Sequence, residues 1–353
     1  MQKKIIAMAI AAAISAPAFA DNANVTVYGK AFMDIESVSN DKSTLSSATR
    51  VQTNASRFGV KGKEDLGEGL SGWYQYEVQI DTDGNAGNGA GNGTRNSGVG
   101  LDGDFGTVML GNWDTPFKVA HNKMELFDNT TVFSAINLMG RAKGTVANYN
   151  TRRSNDVQYW SPSLGGVKVN VSFSPDEGGS GTPTTQGSNK SQTSLSAVYD
   201  VDALYVAAAY ETRPDASVAT TADSATRLVG RYDLGNIWVG LTFEGIKVNT
   251  SASASYTQNN TEVAAEYKAG ANKFAVSYAI AGASGAAGTT SDGATQVSLR
   301  YGMNLSKRTE LFAAYTALKN DTNGAYGFSA GTPFGTNAGS SQTAFGTGLI
   351  VSF

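Results

Sequence analysis

The feature that most constrains this chain is a period-two alternation of apolar and polar side chains that returns along most of its length. In residues 25–36, Val25, Val27, Ala31, Met33 and Ile35 share one face, and Thr26, Tyr28, Lys30, Asp34 and Glu36 share the other. Residues 167–174 set three valines and Phe173 against Lys168, Asn170 and two serines. Tyr74, Tyr76, Val78 and Ile80 oppose Trp73, Gln75, Glu77 and Gln79, and the stretches 237–244 and 273–280 repeat the device. Strict alternation over eight or more residues is a strand signal. The composition agrees: 41 Gly, 15 Tyr, 15 Phe, and only 16% charged residues, against roughly 25% in soluble domains. A mean hydropathy of −0.23 excludes a bundle of membrane helices. With no Cys there is no disulfide or thiolate site, and with one His any histidine-assisted nucleophile would rest on His121.

Alternation alone does not separate a soluble sandwich from a barrel whose apolar face meets lipid. The connections do. Sixteen strands are expected near 25–36, 50–62, 69–81, 95–101, 106–113, 152–161, 167–174, 192–200, 203–211, 225–233, 236–248, 261–268, 273–280, 294–302, 309–318 and 342–353. Short turns (63–68, 102–105, 162–166, 201–202, 234–235, 269–272, 303–308) interleave with long polar loops such as 82–94, 175–191, 281–293 and 319–341. A Greek-key sandwich has no reason to keep that order, whereas an even-stranded outer-membrane barrel has short turns on one side and long loops on the other. Lipid also demands closure, since an open edge would leave backbone groups unpaired. The expected fold is therefore an all-β, 16-stranded, antiparallel up-and-down transmembrane β-barrel, a size that leaves an aqueous channel. One connection, 114–150, carries Pro116, Phe117, Met124, Leu126, Phe127, Phe133, Ile136, Leu138 and Met139. So apolar a loop is expected to fold into the lumen and narrow it; the alternative is an external lid or a subunit contact.

Residues 1–20 are expected to be a cleaved signal peptide: Lys3 and Lys4, an apolar run at 5–14, and Ala18-Phe19-Ala20 before the cut. Ten apolar residues are too few to span a bilayer. The mature domain would be 21–353, its formal charge moving from −3 to −5 with loss of the two lysines, which argues against nucleic acid as a partner.

Val25-Thr26-Val27-Tyr28-Gly29, the stretch 56–70 from Ser56-Arg57-Phe58-Gly59 to Glu68-Gly69-Leu70, Gly103-Asp104-Phe105-Gly106-Thr107, Asp156-Val157-Gln158-Tyr159-Trp160, Asn304-Leu305-Ser306-Lys307-Arg308 and the terminal Phe353 resemble the general porins of Gram-negative, β-proteobacterial-type outer membranes. The resemblance covers essentially the whole mature chain. It implies a homotrimer in the cell outer membrane, in contact with lipid and lipopolysaccharide, passing small hydrophilic solutes and ions by diffusion. Phe353 resembles the signal read by the outer-membrane assembly machinery. Gly111-Asn112-Trp113 stands where the family commonly has Gly-Arg-Gln, so a basic residue expected near the constriction is missing, which weakens any carry-over of anion preference.

Selectivity in such a pore would come from opposed charges. Arg57, Arg95 and Arg152 match the family's wall arginines; Arg57 and Arg152 point to the lumen by parity, and Arg95 is ambiguous. Arg153, Lys30 and Lys61 extend the basic set. On the acidic side stand Glu77, Asp34 and Glu36 on the wall and Glu125 and Asp128 on the inward loop. The alternative is that these are rim charges in a wide vestibule. The glycine-rich 84–93 lacks the lysine and helix of a phosphate cradle. No cofactor is expected, and no metal site beyond a structural Ca²⁺ at loop aspartates, without EF-hand spacing. No enzyme is expected, since its acid–base set would depend on His121 in the presumed constriction loop; a solute-specific channel is the other reading. The sign of charge selectivity, the favoured solute and the trimer contacts are not fixed by the sequence.

Overall fold

The computed structural model describes residues 24–83, 93–144, 146–175, 190–328, 334 and 336–353. The expected signal peptide at 1–20, the glycine-rich 84–92 and most of the 175–191 connection lie outside them. Among the described residues sixteen strands close into one antiparallel sheet. They are β1 (Asn24–Asn40), β2 (Ser47–Thr53 and Arg57–Gly67), β3 (Leu70–Gln79), β4 (Gly93–Thr94 and Ser97–Gly103), β5 (Gly106–Asp114), β6 (Arg152–Trp160), β7 (Val167–Ser174), β8 (Gln192–Val201), β9 (Leu204–Pro214), β10 (Ala222–Asp233), β11 (Ile237–Asn249), β12 (Ser255–Ala269), β13 (Asn272–Ala281), β14 (Ala294–Asn304), β15 (Thr309–Asn320) and β16 (Ser341–Ser352). No helix among them is long and apolar enough to cross a membrane, which says nothing of strands.

Each strand pairs with its chain neighbours, and the last pairs with the first, Lys30 opposite Ser352 through Asn40 opposite Gln342. The seam continues into Phe353, whose N–H donates to the Gly29 carbonyl at 3.1 Å while the Gly29 N–H donates to the Phe353 carbonyl at 3.0 Å. A Cβ at residue 29 would stand 2.2 Å from the Phe353 ring, so the glycine lets the terminal aromatic lie flat on β1.

The strands run taller than the alternation predicted on the long-loop side. β1 continues to Asn40, and β12 begins at Ser255 instead of near 261. The sequence Ser255-Tyr256-Thr257-Gln258-Asn259-Asn260 has no apolar face to reveal it, yet it is laddered to β11 from Asn249 opposite Ser255 onward. Polar side chains on both faces are what a strand carries where it rises clear of hydrocarbon.

Outward positions are exposed and apolar: Val25, Val27, Ile35, Leu228, Leu241 and Val263 are each more than half exposed. Near the short-turn rim Tyr267, Phe274 and Tyr301 form an outward aromatic row, with centroids 6.5 and 5.3 Å apart. Inward positions are concealed and polar, including Glu211, Arg227, Glu244 and Glu262. An arginine at outward Leu241 is expected to cost about 2–4 kcal/mol by placing charge in hydrocarbon. The denaturant midpoint in lipid vesicles checks this, and an unchanged midpoint would show that this face does not meet lipid.

Candidate functional site

The 37-residue connection between β5 and β6 is built by local rules. Thr115 caps a one-turn helix, α1 (Pro116–Val119), its hydroxyl accepting from the Lys118 N–H at 3.3 Å with Pro at the first turn. Ser134 caps the 3₁₀ turn Ala135–Asn137 in the same way. The apolar side chains Phe117, Met124, Phe133, Leu138 and Met139 are fully buried. They pack with small inward residues: Ala207, Ala209, Ala225, Ala264, Ala275, Ala279 and Ala314. Two glycines complete the seat, Gly240 under Met124 and Gly346 under Phe133, where a Cβ would lie 2.4 and 2.9 Å from the loop side chain.

Inward polar residues then bind the connection's backbone. The Arg227 guanidinium, wholly buried, donates to Glu244 at 2.7 Å, to the Phe117 carbonyl at 2.6 Å and to Asn150 Oδ1 at 3.1 Å. The second Glu244 oxygen accepts the Gly140 N–H at 2.6 Å. One ion pair thus holds the connection at residues 117, 140 and 150. Arg300 donates to the Leu126 carbonyl at 2.6 Å, Arg213 to the Asn148 carbonyl at 2.7 Å, and Asn260 to the Arg141 carbonyl at 2.9 Å. His121 Nε2 meets Glu262 at 2.5 Å.

Across from this seat the wall and the connection enclose a charged cavity of about 590 Å³. Its lining brings together Arg57, Arg95 and Arg152, Glu77, and Glu125 and Asp128 of the connection, with Asp114 and Lys118 added. The acids do not simply face the bases. Glu77 lies between two arginines, 2.6 Å from Arg95 and 3.8 Å from Arg57. Asp114 lies between Lys118 at 2.7 Å and Arg152 at 3.2 Å. Lys30 is not in the lining but is bonded to Asp128. Burial would raise the Asp128 carboxyl, but Lys30 and the arginines behind it hold it below the usual carboxylate range. Burial pushes Glu125 up, with Ser134 and the Phe127 N–H bonding its two oxygens.

Other expected site residues lie elsewhere. Asp34 and Glu36 point inward as their parity predicted but are buried, Glu36 paired with Arg50 at 2.5 Å. Lys61 lies toward the short-turn end, its ammonium 5.2 Å from the Tyr28 ring. Arg153 is outside the cavity lining and within electrostatic reach of Arg213 and Glu211. The register shifts between Arg153 and Asp156, where Asn155 takes φ +55°, and that bulge ends the parity reading. Sequence reasoning missed the anchors Arg213, Arg227, Glu262 and Arg300 and the cavity residue Lys118. The available signal was a run of alanines at inward parity on β9 to β15, which only a covered wall would carry. Among the described residues no cluster of three or more acidic or histidine side chains could hold a metal.

The chain matches the Gram-negative porin family over residues 7–323. Outer membrane porin protein 32 of Delftia acidovorans is 28% identical over 368 residues, spanning 100% of both chains. Major outer membrane protein P.IB of Neisseria lactamica is 27% identical over 294 residues, 79% of this chain and 82% of that one. Among solved structures, an anion-selective porin from Comamonas acidovorans superposes with TM-score 0.82 at 26% identity, over 94% of this chain and 100% of that one. The trimer form of OmpT from Vibrio cholerae shares the fold, with TM-score 0.69 at 15% identity over 94% of this chain and 100% of that one. A closed sixteen-stranded barrel with a charged cavity inside it defines a pore-forming protein of the outer membrane. The chain belongs to the Gram-negative porin family, and it is a passive diffusion channel of the outer membrane.

Two outcomes follow from the anchors. Glu244→Ala, which strands the Arg227 charge, is expected to cost about 3–5 kcal/mol, read as a lowered denaturant midpoint; no loss would show that the pair does not hold the connection. Burial alone would lower the His121 pKa, but the Glu262 carboxylate outweighs it and the pKa lies above 6.5. A raised folded pKa contributes stability that is full below the unfolded value and is lost as pH rises through the folded one. His121→Gln should therefore flatten the alkaline fall in melting temperature, and an identical fall in both proteins would remove His121 as its source.

Proposed function

We propose that the connection between β5 and β6 is the constriction loop of a general diffusion porin and that the charged cavity sets a mild preference for anions. The observation that carries this is the sharing of charge around the cavity. Three wall arginines, Arg57, Arg95 and Arg152, together with Lys118 of the connection, share two carboxylates, Glu77 and Asp114, so this side of the cavity keeps an excess of positive charge. On the loop side Lys30 offsets Asp128, and Glu125 is held by Ser134 and backbone. Low-dielectric walls focus such a field on a passing ion. The description of the Comamonas acidovorans structure as anion-selective fits the same sign.

The working form in this reading is a homotrimer, supported by the trimer form of the Vibrio cholerae neighbour, exported after cleavage behind Ala20 and inserted through recognition of Phe353. Phe353 stays more than half exposed at the barrel seam, where a receptor for the unfolded chain end would find an aromatic. No chemistry is assigned: His121 is buried against Glu262 and offers no face to a substrate. The solute-specific alternative would require saturation by one solute.

Bilayer recordings across a tenfold KCl gradient test the reading. Wild type should reverse modestly on the anion side. Arg57→Glu and Arg152→Glu should each move the reversal potential toward cations by a measurable part of the ~59 mV of a perfectly selective pore. No shift in either variant would remove both from the constriction.

A further inference from the structure

Three of the chain's four tryptophans stand together inside the barrel: Trp73 on β3, Trp113 on β5 and Trp160 on β6. Trp73 and Trp160 stack with centroids 5.9 Å apart and planes 18° from parallel, and Trp113 closes the triangle at 5.7 and 5.6 Å. The seat is shaped for them. Gly100 lies opposite Trp73 across the β3–β4 pair, and a Cβ there would come 2.6 Å from the indole. Trp160 Nε1 donates to Gln158 at 2.8 Å, which fixes the ring plane.

The cluster borders two adjoining cavities of about 490 and 520 Å³, both lined by Trp113 and Trp160. The second reaches Asp114, which it shares with the charged cavity, so a solute leaving that cavity meets the indoles next. Apolar surface left facing a water-filled lumen is unfavourable unless something covers it. Cations frame the same space. Lys63 is paired with Asp102 at 2.9 Å, but among the described residues Lys61 and Lys168 make no ion pair.

We propose that this cluster is a transit-binding site for planar aromatic carboxylates, with the ring against the indoles and the carboxylate on Lys61. The inference rests on the channel reading and adds a solute class to it. The indoles select a flat apolar ring, and the Lys61 ammonium, which lies over the Tyr28 ring without a carboxylate partner among the described residues, selects an anion. A neutral sugar would use the first feature and not the second.

Benzoate is the probe, with acetate, benzyl alcohol and maltose as comparisons, in low-salt bilayer recordings of the purified protein. Benzoate should block the KCl current reversibly and at far lower concentration than acetate or benzyl alcohol. Trp160→Ala and Lys61→Gln should each raise its half-blocking concentration about tenfold, each judged against that variant's own open current. In detergent, 4-nitrobenzoate should quench the tryptophan emission of wild type and do so less well in Lys61→Gln, a readout independent of conduction. Conduction with no advantage of benzoate over acetate, equal block in both variants, or stronger block by maltose would overturn the aromatic site alone. A folded protein that carries no current would overturn the channel reading and the transit role with it.

Discussion

Hydrocarbon cannot hydrogen-bond a peptide group, and every other property of this barrel descends from that. A strand in lipid must be paired on both sides, so the sheet closes, and the closing pair is β1 with β16. Once closed, the sheet has one face toward acyl chains and one toward its own interior. The period-two sequence then has a single way to fold, with Val25 and Val27 outside and Lys30 and Asp34 inside, because a one-residue slip would exchange the faces. Polar inward side chains need no special compensation where water fills the lumen, and they need full compensation where it does not.

That last distinction divides the inner wall into two arcs. On β9 to β15 the inward positions alternate small apolar residues with strongly polar ones, and the connection between β5 and β6 covers them. Excluding water there makes Arg227 and Glu244 wholly buried, a costly placement that is met by their mutual bond and by backbone groups of residues 117 and 140. The same contacts satisfy loop carbonyls and an N–H that would otherwise be buried unpaired. On β2 to β6 the wall keeps its charges and tryptophans around open cavities. The open cavities therefore lie along one side of the barrel, opposite the alanine-lined arc.

How much of this was legible depends on the range of the determining interaction. Alternation is local, so strand number, face and the inward parity of Arg57 could be read directly. Arg95 could not, because it lies in the gap between the two segments of β4, where no alternation applies. The facing of Arg153 could not be read by parity, because Asn155 inserts a bulge whose positive φ is invisible in a pattern of side-chain types. The parity of Asp34 and Glu36 was right, yet whether an inward acid meets water or a covering loop depends on a segment about a hundred residues away. The same distance hid the Arg227–Glu244 clip, whose two members are cross-strand neighbours but whose targets lie on the connection. Stretches such as 255–260 failed for the opposite reason: above the lipid nothing requires an apolar face, and the ladder persists without one.

Gly111-Asn112-Trp113, near the end of β5, joins the charged cavity to the aromatic one. Asn112 supplies no charge there. Instead Asp114 takes its cations from elsewhere, Lys118 on the first turn of the connection and Arg152 on β6, so the acid becomes a link between loop and wall. The next residue, Trp113, turns toward Trp73 and Trp160. Asn112 thus leaves Asp114 bridging loop and wall, and Trp113 completes an aromatic cluster bordering a cavity that also reaches Asp114. Weak, multi-point attraction of this kind suits a pore, because a solute held by a single deep site would stop the flow it is meant to allow.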